Sequence, residues 1–336
     1  MTRPTPHVLT QIAPEAWEHP ADRAALNALR SVPGFDEAVK KIFGFFGERG
    51  IRLLFQANAV KVGRTQFARL DAMLDDACAT MDWPQKPELY VTQTPLVNAG
   101  AVGFREPFIV LNSAALELLD EDETRVLIGH ELGHIMSGHA VYRTITALIL
   151  TLGFQNLPFL AGIALMPIRL ALLEWFRKSE LSADRAGLLA TQDLEAGTRL
   201  FLKMAGGVRP LGGATDLGPP SMEAWREQAR AYEASGGPLD AIYKILNTLA
   251  LTHPLSLLRT AELDRWIAAG DYERVVGGTY PHRGPEQRDR RYLDDLAEAA
   301  NHYGNEARDV ANEMADAARR AASAFAKAFR GGRSEG

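Results

Sequence analysis

Cysteine is almost absent: Cys78 is the sole example in 336 residues. A lone thiol excludes an internal disulfide framework, cannot build a cysteine zinc site, and fits a reducing compartment. Basic surplus is also lacking. The net charge is -5, so no global basic field invites nucleic acid. Met1 to Arg30 carries no basic segment followed by an apolar core, and Pro4, Pro14 and Pro20 break it. A cleaved signal peptide is therefore not expected, and a cytoplasmic location is. No internal repeat is found. Charge itself is missing from one stretch, Thr144 to Ile168. What is present is a globular composition, 46% hydrophobic and 24% charged, long enough for one large domain or two small ones.

Residues 1–20 read as an irregular lead-in. Helical spacing begins at Ala21, breaks at Pro33-Gly34, and resumes from Phe35 to Glu48, with Gly47 and Gly50 marking an end. The run from Ile51 to Val62 fits helix or strand. Thr65 to Met81 is helical again, with Cys78 on or beside its buried stripe as a structural thiol. Glu88–Thr92, Val97–Phe104 and Phe108–Leu111 are strand candidates, the second an edge strand because of its glycines. They predict a small mixed sheet packed on helices, an α+β and mainly α-helical fold. Asp120 or Asp122 caps the next helix, whose acidic first turn suits the dipole. Further helices are expected at Glu174–Ala190, at Leu194–Met204, and between Met222 and Arg274. Another covers Ala297–Phe329, before a disordered Gly331–Gly336. A glycine- and proline-rich loop follows Met204. The division expected is 21–275 as one domain, with 144–176 as an apolar insertion and 276–336 as a helical extension.

The chemistry sits at Gly129-His130-Glu131-Leu132-Gly133-His134. Positions i and i+4 of a helix lie about 40° apart around its axis, so His130 and His134 can close on one metal ion. Glu131 is rotated by about 100° from His130, where it flanks the metal and can take a proton from a bound water. This is the H-E-x-x-H arrangement of zinc hydrolases, and one Zn2+ per chain is expected. A third ligand is needed. The metzincin pattern would put a glycine at Ser137 and a histidine at Ala140. His139, on a continued helix, would point about 140° away from His134 and is expected to be a surface or supporting residue. Downstream, Glu180 and Asp184 stand at i and i+4. Glu180 can complete the ligand set and Asp184 can accept the free ring N–H of a ligand histidine. The competing reading is an exposed acidic pair.

Here the sequence resembles the HtpX-like and type I CAAX prenyl protease family of gluzincin zinc metallopeptidases. The resemblance rests on His130-Glu131-Leu132-Gly133-His134 and Glu180-Leu181-Ser182-Ala183-Asp184, with Asn98-Ala99-Gly100-Ala101 upstream and Thr252-His253-Pro254 with Arg259 downstream. It covers roughly residues 35 to 265. It implies a zincin-like metalloprotease domain whose edge strand, matched by Asn98, Ala99, Gly100 and Ala101, pairs with a peptide substrate beside the metal helix. It also implies that His253 lies near the zinc and stabilises the oxyanion, and that Arg259 orients that histidine or pairs with a carboxylate. The activity implied is a metalloendopeptidase acting on membrane-associated or misfolded proteins, with Glu131 as general base. A catalytically silent, zinc-binding or chaperone-like module of the same fold is the alternative. Prenyl-protein processing normally goes with several membrane spans, which this chain lacks.

The uncharged stretch by itself suggests a membrane span. His134 and Glu180 must reach one metal, so the chain between them returns to the same side, and a single span is excluded. Two spans need roughly forty apolar residues plus a turn, more than 144–176 supplies. The legs are expected either to touch one membrane leaflet, at its inner face, or to pack on protein. Relatives with long transmembrane helices carry them at this place. The oligomeric state is left open.

Overall fold

Apolar runs that alternate between two faces set up the centre of the molecule. The computed structural model describes residues 5–152, 165–207, 220–234 and 255–284. Among these the strands β1 (Ala59–Lys61), β2 (Leu89–Thr92), β3 (Ala99–Val102) and β4 (Phe108–Asn112) form one sheet in the order β1-β2-β4-β3. β2 and β4 run parallel, in register Leu89 with Ile109, and the outer pairs are antiparallel. The central strands are buried on both faces, as their unbroken apolar sequences require. β3 alternates buried and half-buried residues and lies at the edge, as its glycine suggested.

Helices α1 (Pro20–Arg30), α2 (Phe35–Gln56), α3 (Ala68–Thr80), α4 (Ser113–Leu118), α5 (Glu121–Met136), α6 (Ala140–Leu152), α7 (Leu165–Thr191), α8 (Leu194–Gly206), α9 (Met222–Ala234), α10 (Ser256–Ala268) and α11 (Asp271–Val276) surround the sheet. The protein is mainly helical with a small mixed sheet, as the sequence indicates. Leu89, Val91, Ile109 and Leu111 face a core shared with α3, α5 and α8. Tyr90, Phe108 and Val110 face a second core shared with α1, α2, α6 and α7.

Three local expectations need correction. Gly47, at φ 59°, does interrupt the helix, but a second helical segment follows at once and runs to Gln56, so the first half of the ambiguous run Ile51–Val62 is helical and only Ala59–Lys61 of it is strand. The helix through Glu174 starts at least as early as Leu165, and Pro167 sits inside it near the described start. The N-terminal lead-in is irregular but not peripheral: Leu9, Ile12 and Trp17 are buried, and Trp17 Nε1 donates to Ser137 Oγ at 3.1 Å. Cys78 is buried in the first core, and burial pushes its thiol up to about 12. The expected helix at Ala297–Phe329, the terminal Gly331–Gly336, most of the loop after Met204, and His253 lie outside the described residues.

Candidate metal centre

α5 begins with a capping box. Asp120 accepts from Glu123 N at 3.0 Å, and Glu123 Oε2 accepts from Asp120 N at 2.9 Å. Thus started, α5 runs through the middle of the first core, and Val126 to Met136 are all buried. It lies against α7 along a seam of small residues. A Cβ on Gly133 would stand 2.3 Å from Ala186 Cβ, one on Gly129 2.7 Å from Ala190 Cβ, and one on Gly187 2.8 Å from the Val126 carbonyl oxygen. Real side chains cannot approach so closely, so the glycines permit the contact. Gly133 and Ala183, the unassuming positions of the two motifs, let the helices bring their ligands within reach of each other.

The result joins residues almost fifty positions apart. Ligand atoms of His130, His134 and Glu180 lie within 4.8 Å of one another, all buried, and this set could hold a metal ion. The rings of His130 and His134 meet edge to face at 4.8 Å between centroids. Glu180 Oε1 is 3.2 Å from His134 Nε2, and its Oε2 is 3.5 Å from His130 Nε2. The competing reading, an exposed acidic pair, fails: Glu180 is fully buried and Asp184 nearly so. Two imidazoles and one carboxylate are a donor set that suits zinc.

Glu131 is 2% exposed, and its Oε2 has no hydrogen-bond partner among the described residues. Burial raises its carboxyl above the ordinary value, partly opposed by the charge of Arg143. That is the setting of a base poised to take and return a proton.

Asp184 Oδ1 lies 2.9 Å from His130 Nδ1. Arg259 grips the same carboxylate from the other side, with Nε donating to Oδ2 at 2.8 Å and Nη2 donating to Oδ1. Burial raises the Asp184 carboxyl, but Arg259 more than offsets this and holds it below the usual range. Of the two roles expected for Arg259, the structure shows the pairing with a carboxylate. His130 is pulled down by burial and up more strongly by Asp184 and Glu180, to about 9. His134 goes the other way, well below the ordinary value, through burial first and then the charge of Arg143.

Two residues near the centre escaped sequence reasoning. Arg143 Nη1 lies 2.8 Å from His134 Nε2, donates to Glu180 Oε1, and packs its guanidinium 4.3 Å from the Phe176 ring centroid. Its one sequence signal is that it is the last charge before the uncharged stretch. Asp22 on α1 is 1% exposed and reaches His139, whose other ring nitrogen meets His134. His139 is a supporting residue, but not for the reason that helical spacing supplies. α5 stops at Met136, and Gly138 turns the chain with φ 71°. The turn brings His139 back against His134, instead of leaving it about 140° away.

On the sheet side, Asn98 and Ala99 line a small cleft with His130, Glu131 and Glu180, opposite Leu200, Phe201 and Met204 of α8. A side chain at Gly100 would make only an ordinary contact, 3.9 Å from Val102 Cγ2, whereas Gly103 (φ 125°) is demanded by the turn, where an added Cβ would stand 2.9 Å from the Pro107 Cα. Thr144 Oγ1 accepts from Gly103 N at 2.8 Å and so joins α6 to the end of β3. The described parts of the apolar legs pack inward, with Ile145, Ile149, Ile168, Leu172 and Trp175 in the second core. Met166 and Leu170 remain exposed, and no described helix is long and apolar enough to cross a membrane.

A family model described as Peptidase family M48 matches residues 64–267. The plastoglobule-localized metallopeptidase 48, chloroplastic, of Arabidopsis thaliana is 33% identical over 274 residues, which cover 81% of this chain and 78% of that protein. A protease HtpX homolog of Tropheryma whipplei (strain Twist) is 27% identical over 189 residues, 47% of this chain and 63% of that protein. A protease HtpX homolog of Helicobacter pylori (strain Shi470) is 46% identical over 52 residues, 15% of this chain and 17% of that protein. No solved structure matches the chain.

Proposed function

The chain belongs to peptidase family M48, and from that premise we propose that it is a zinc-dependent endopeptidase of protein substrates with Glu131 as its general base. The observation that carries this reading is the buried Oε2 of Glu131, which accepts no hydrogen bond among the described residues, beside the His130, His134 and Glu180 set. Those three residues would hold zinc, which when bound acidifies a water and polarises the scissile carbonyl. Glu131 takes the proton of the attacking water and returns it to the leaving amine. Asp184 fixes His130 with its proton on Nδ1, and Arg259 keeps Asp184 ionised. His253 is assigned the oxyanion on the family resemblance alone.

β3 receives the substrate as an added strand. Its outer edge is unpaired among the described residues, and Asn98 and Ala99 already wall the cleft that holds Glu131. The apolar side chains of α8 across that cleft suit apolar substrate residues. Met166 and Leu170, exposed on α7 at the end of the uncharged stretch, would rest on a lipid surface. A plastoglobule-localized relative supports that setting.

Glu131→Gln tests the reading. The variant should bind zinc as the parent does and cleave casein about 10²- to 10⁴-fold more slowly. Equal cleavage by parent and variant would sink the hydrolase reading, and a parent that loads zinc but does not cleave would leave the silent zinc-binding module in its place. Met166→Asp with Leu170→Asp should reduce flotation with vesicles while leaving casein cleavage unchanged.

A further inference from the structure

His130 is backed by a carboxylate on its own partner helix, but His134 is not. Its Nδ1 lies 3.0 Å from His139 Nδ1, and His139 Nε2 lies 3.1 Å from Asp22 Oδ2. Ser182 Oγ donates to the same Asp22 oxygen at 2.6 Å while accepting from His19 N at 2.9 Å. Asp22, His139, His134 and Ser182 are all nearly or wholly buried, and Trp175 stands edge-on to the His139 ring at 5.5 Å.

With one proton on each ring, the row has one placement that suits both Arg143 and Asp22. Two facing Nδ1 atoms share a single proton. At one end, Arg143 Nη1 can only donate and stands nearer His134 Nε2 than Glu180 Oε1 does, 2.8 against 3.2 Å, while Glu180 Oε1 itself accepts from Arg143; His134 Nε2 therefore carries a lone pair and the shared proton belongs to His134 Nδ1. His139 Nδ1 then accepts, which puts the His139 proton on Nε2, aimed at Asp22. At the other end, the Ser182 hydroxyl is directed at Asp22 because His19 N–H occupies its acceptor side. Asp22 Oδ2 therefore accepts twice. Both ends demand the same tautomers, and those tautomers leave His134 Nε2 bare, as a metal ligand must be.

We propose that Asp22 is a positioning residue for the metal centre, acting through His139 to hold His134 in its ligating tautomer. α1 thus contributes to the site from outside the residues matched by the family model. The inference rests on the zinc reading above.

The test uses the full chain and zinc competed against a chelator. Asp22→Asn keeps the shape but can offer an N–H to His139 Nε2. That reverses the row and places the His134 proton on Nε2, where it blocks ligation. Asp22→Ala merely releases the row. Zinc affinity should fall by roughly 10- to 100-fold in Asp22→Asn and by less in Asp22→Ala. A packing role predicts the opposite order, because Asn is the closer fit. Asn binding as tightly as the parent, or Ala binding more weakly than Asn, overturns the proposal. A measurement that needs no variant is the ¹⁵N spectrum of His134 in the metal-free parent chain. Protonation at Nδ1 supports the row, and protonation at Nε2 overturns it. If the parent itself takes up no zinc, the zinc reading fails rather than this one.

Discussion

His130 and His134 stand one helical turn apart and face the same way, yet what lies behind them differs. Behind His130 is a short, charged arrangement, Asp184 held by Arg259, with the carboxylate drawn from the second motif itself. Behind His134 is a longer row that passes through the His139 ring and ends on Asp22, near the start of the chain. The first support belongs to α7 and α10, the second to α1 and the turn after α5. The difference teaches that a two-histidine motif is symmetrical in spacing only. Its surroundings leave His130 inclined to carry charge and His134 to remain neutral.

The comparison can be broken most severely on the His130 side. Arg259→Met strands the buried Asp184 carboxylate, and losing one partner of a buried ion pair costs about 3–5 kcal/mol. Thermal unfolding of the metal-free protein should show that loss, with zinc uptake falling beside it. An unchanged midpoint would mean that Asp184 does not depend on Arg259. The seam that both sides share comes next. Gly133→Val forces α5 off α7 and should cost about 1–3 kcal/mol by overpacking, read in urea unfolding, while Gly50→Ala inside α2, where the added carbon makes only an ordinary contact with Phe46 Cβ at 3.9 Å, serves as the control for lost glycine.

The smallest effect lies on the His134 side, in acid. Burial raises the Asp22 carboxyl, and His139 with Ser182 more than offsets the rise, so it sits below the ordinary value. A depressed carboxyl lends stability that is complete above the unfolded value, about 4, and is lost as the pH falls through the folded value. The metal-free Asp22→Asn variant, compared with the parent from pH 7 to 3, should therefore lose less stability on the acid side. Parallel curves would mean that Asp22 is not held ionised by its neighbours.

What the sequence makes legible follows from what is local. The capped start of α5, the pairing of Glu180 with Asp184, and the edge position of β3 all come from spacing or composition within a dozen residues. Arg259 was recognisable through family resemblance, although its geometry was not. Asp22 was invisible because no periodicity relates residue 22 to residue 134. Arg143 hid as a mere boundary of the apolar stretch. His139 shows the limit of helical arithmetic, which presumes that the helix continues, whereas Gly138 ends it. Gly129 and Gly133 were plain in the sequence, but a glycine inside a helix does not announce which neighbour comes close.

The hydrogen bond between Thr144 and the backbone of Gly103 couples two parts that the sequence keeps separate. It rivets the root of the uncharged leg to the end of the edge strand. The packing of α6 in the second core thereby also fixes where the strand beside Glu131 ends.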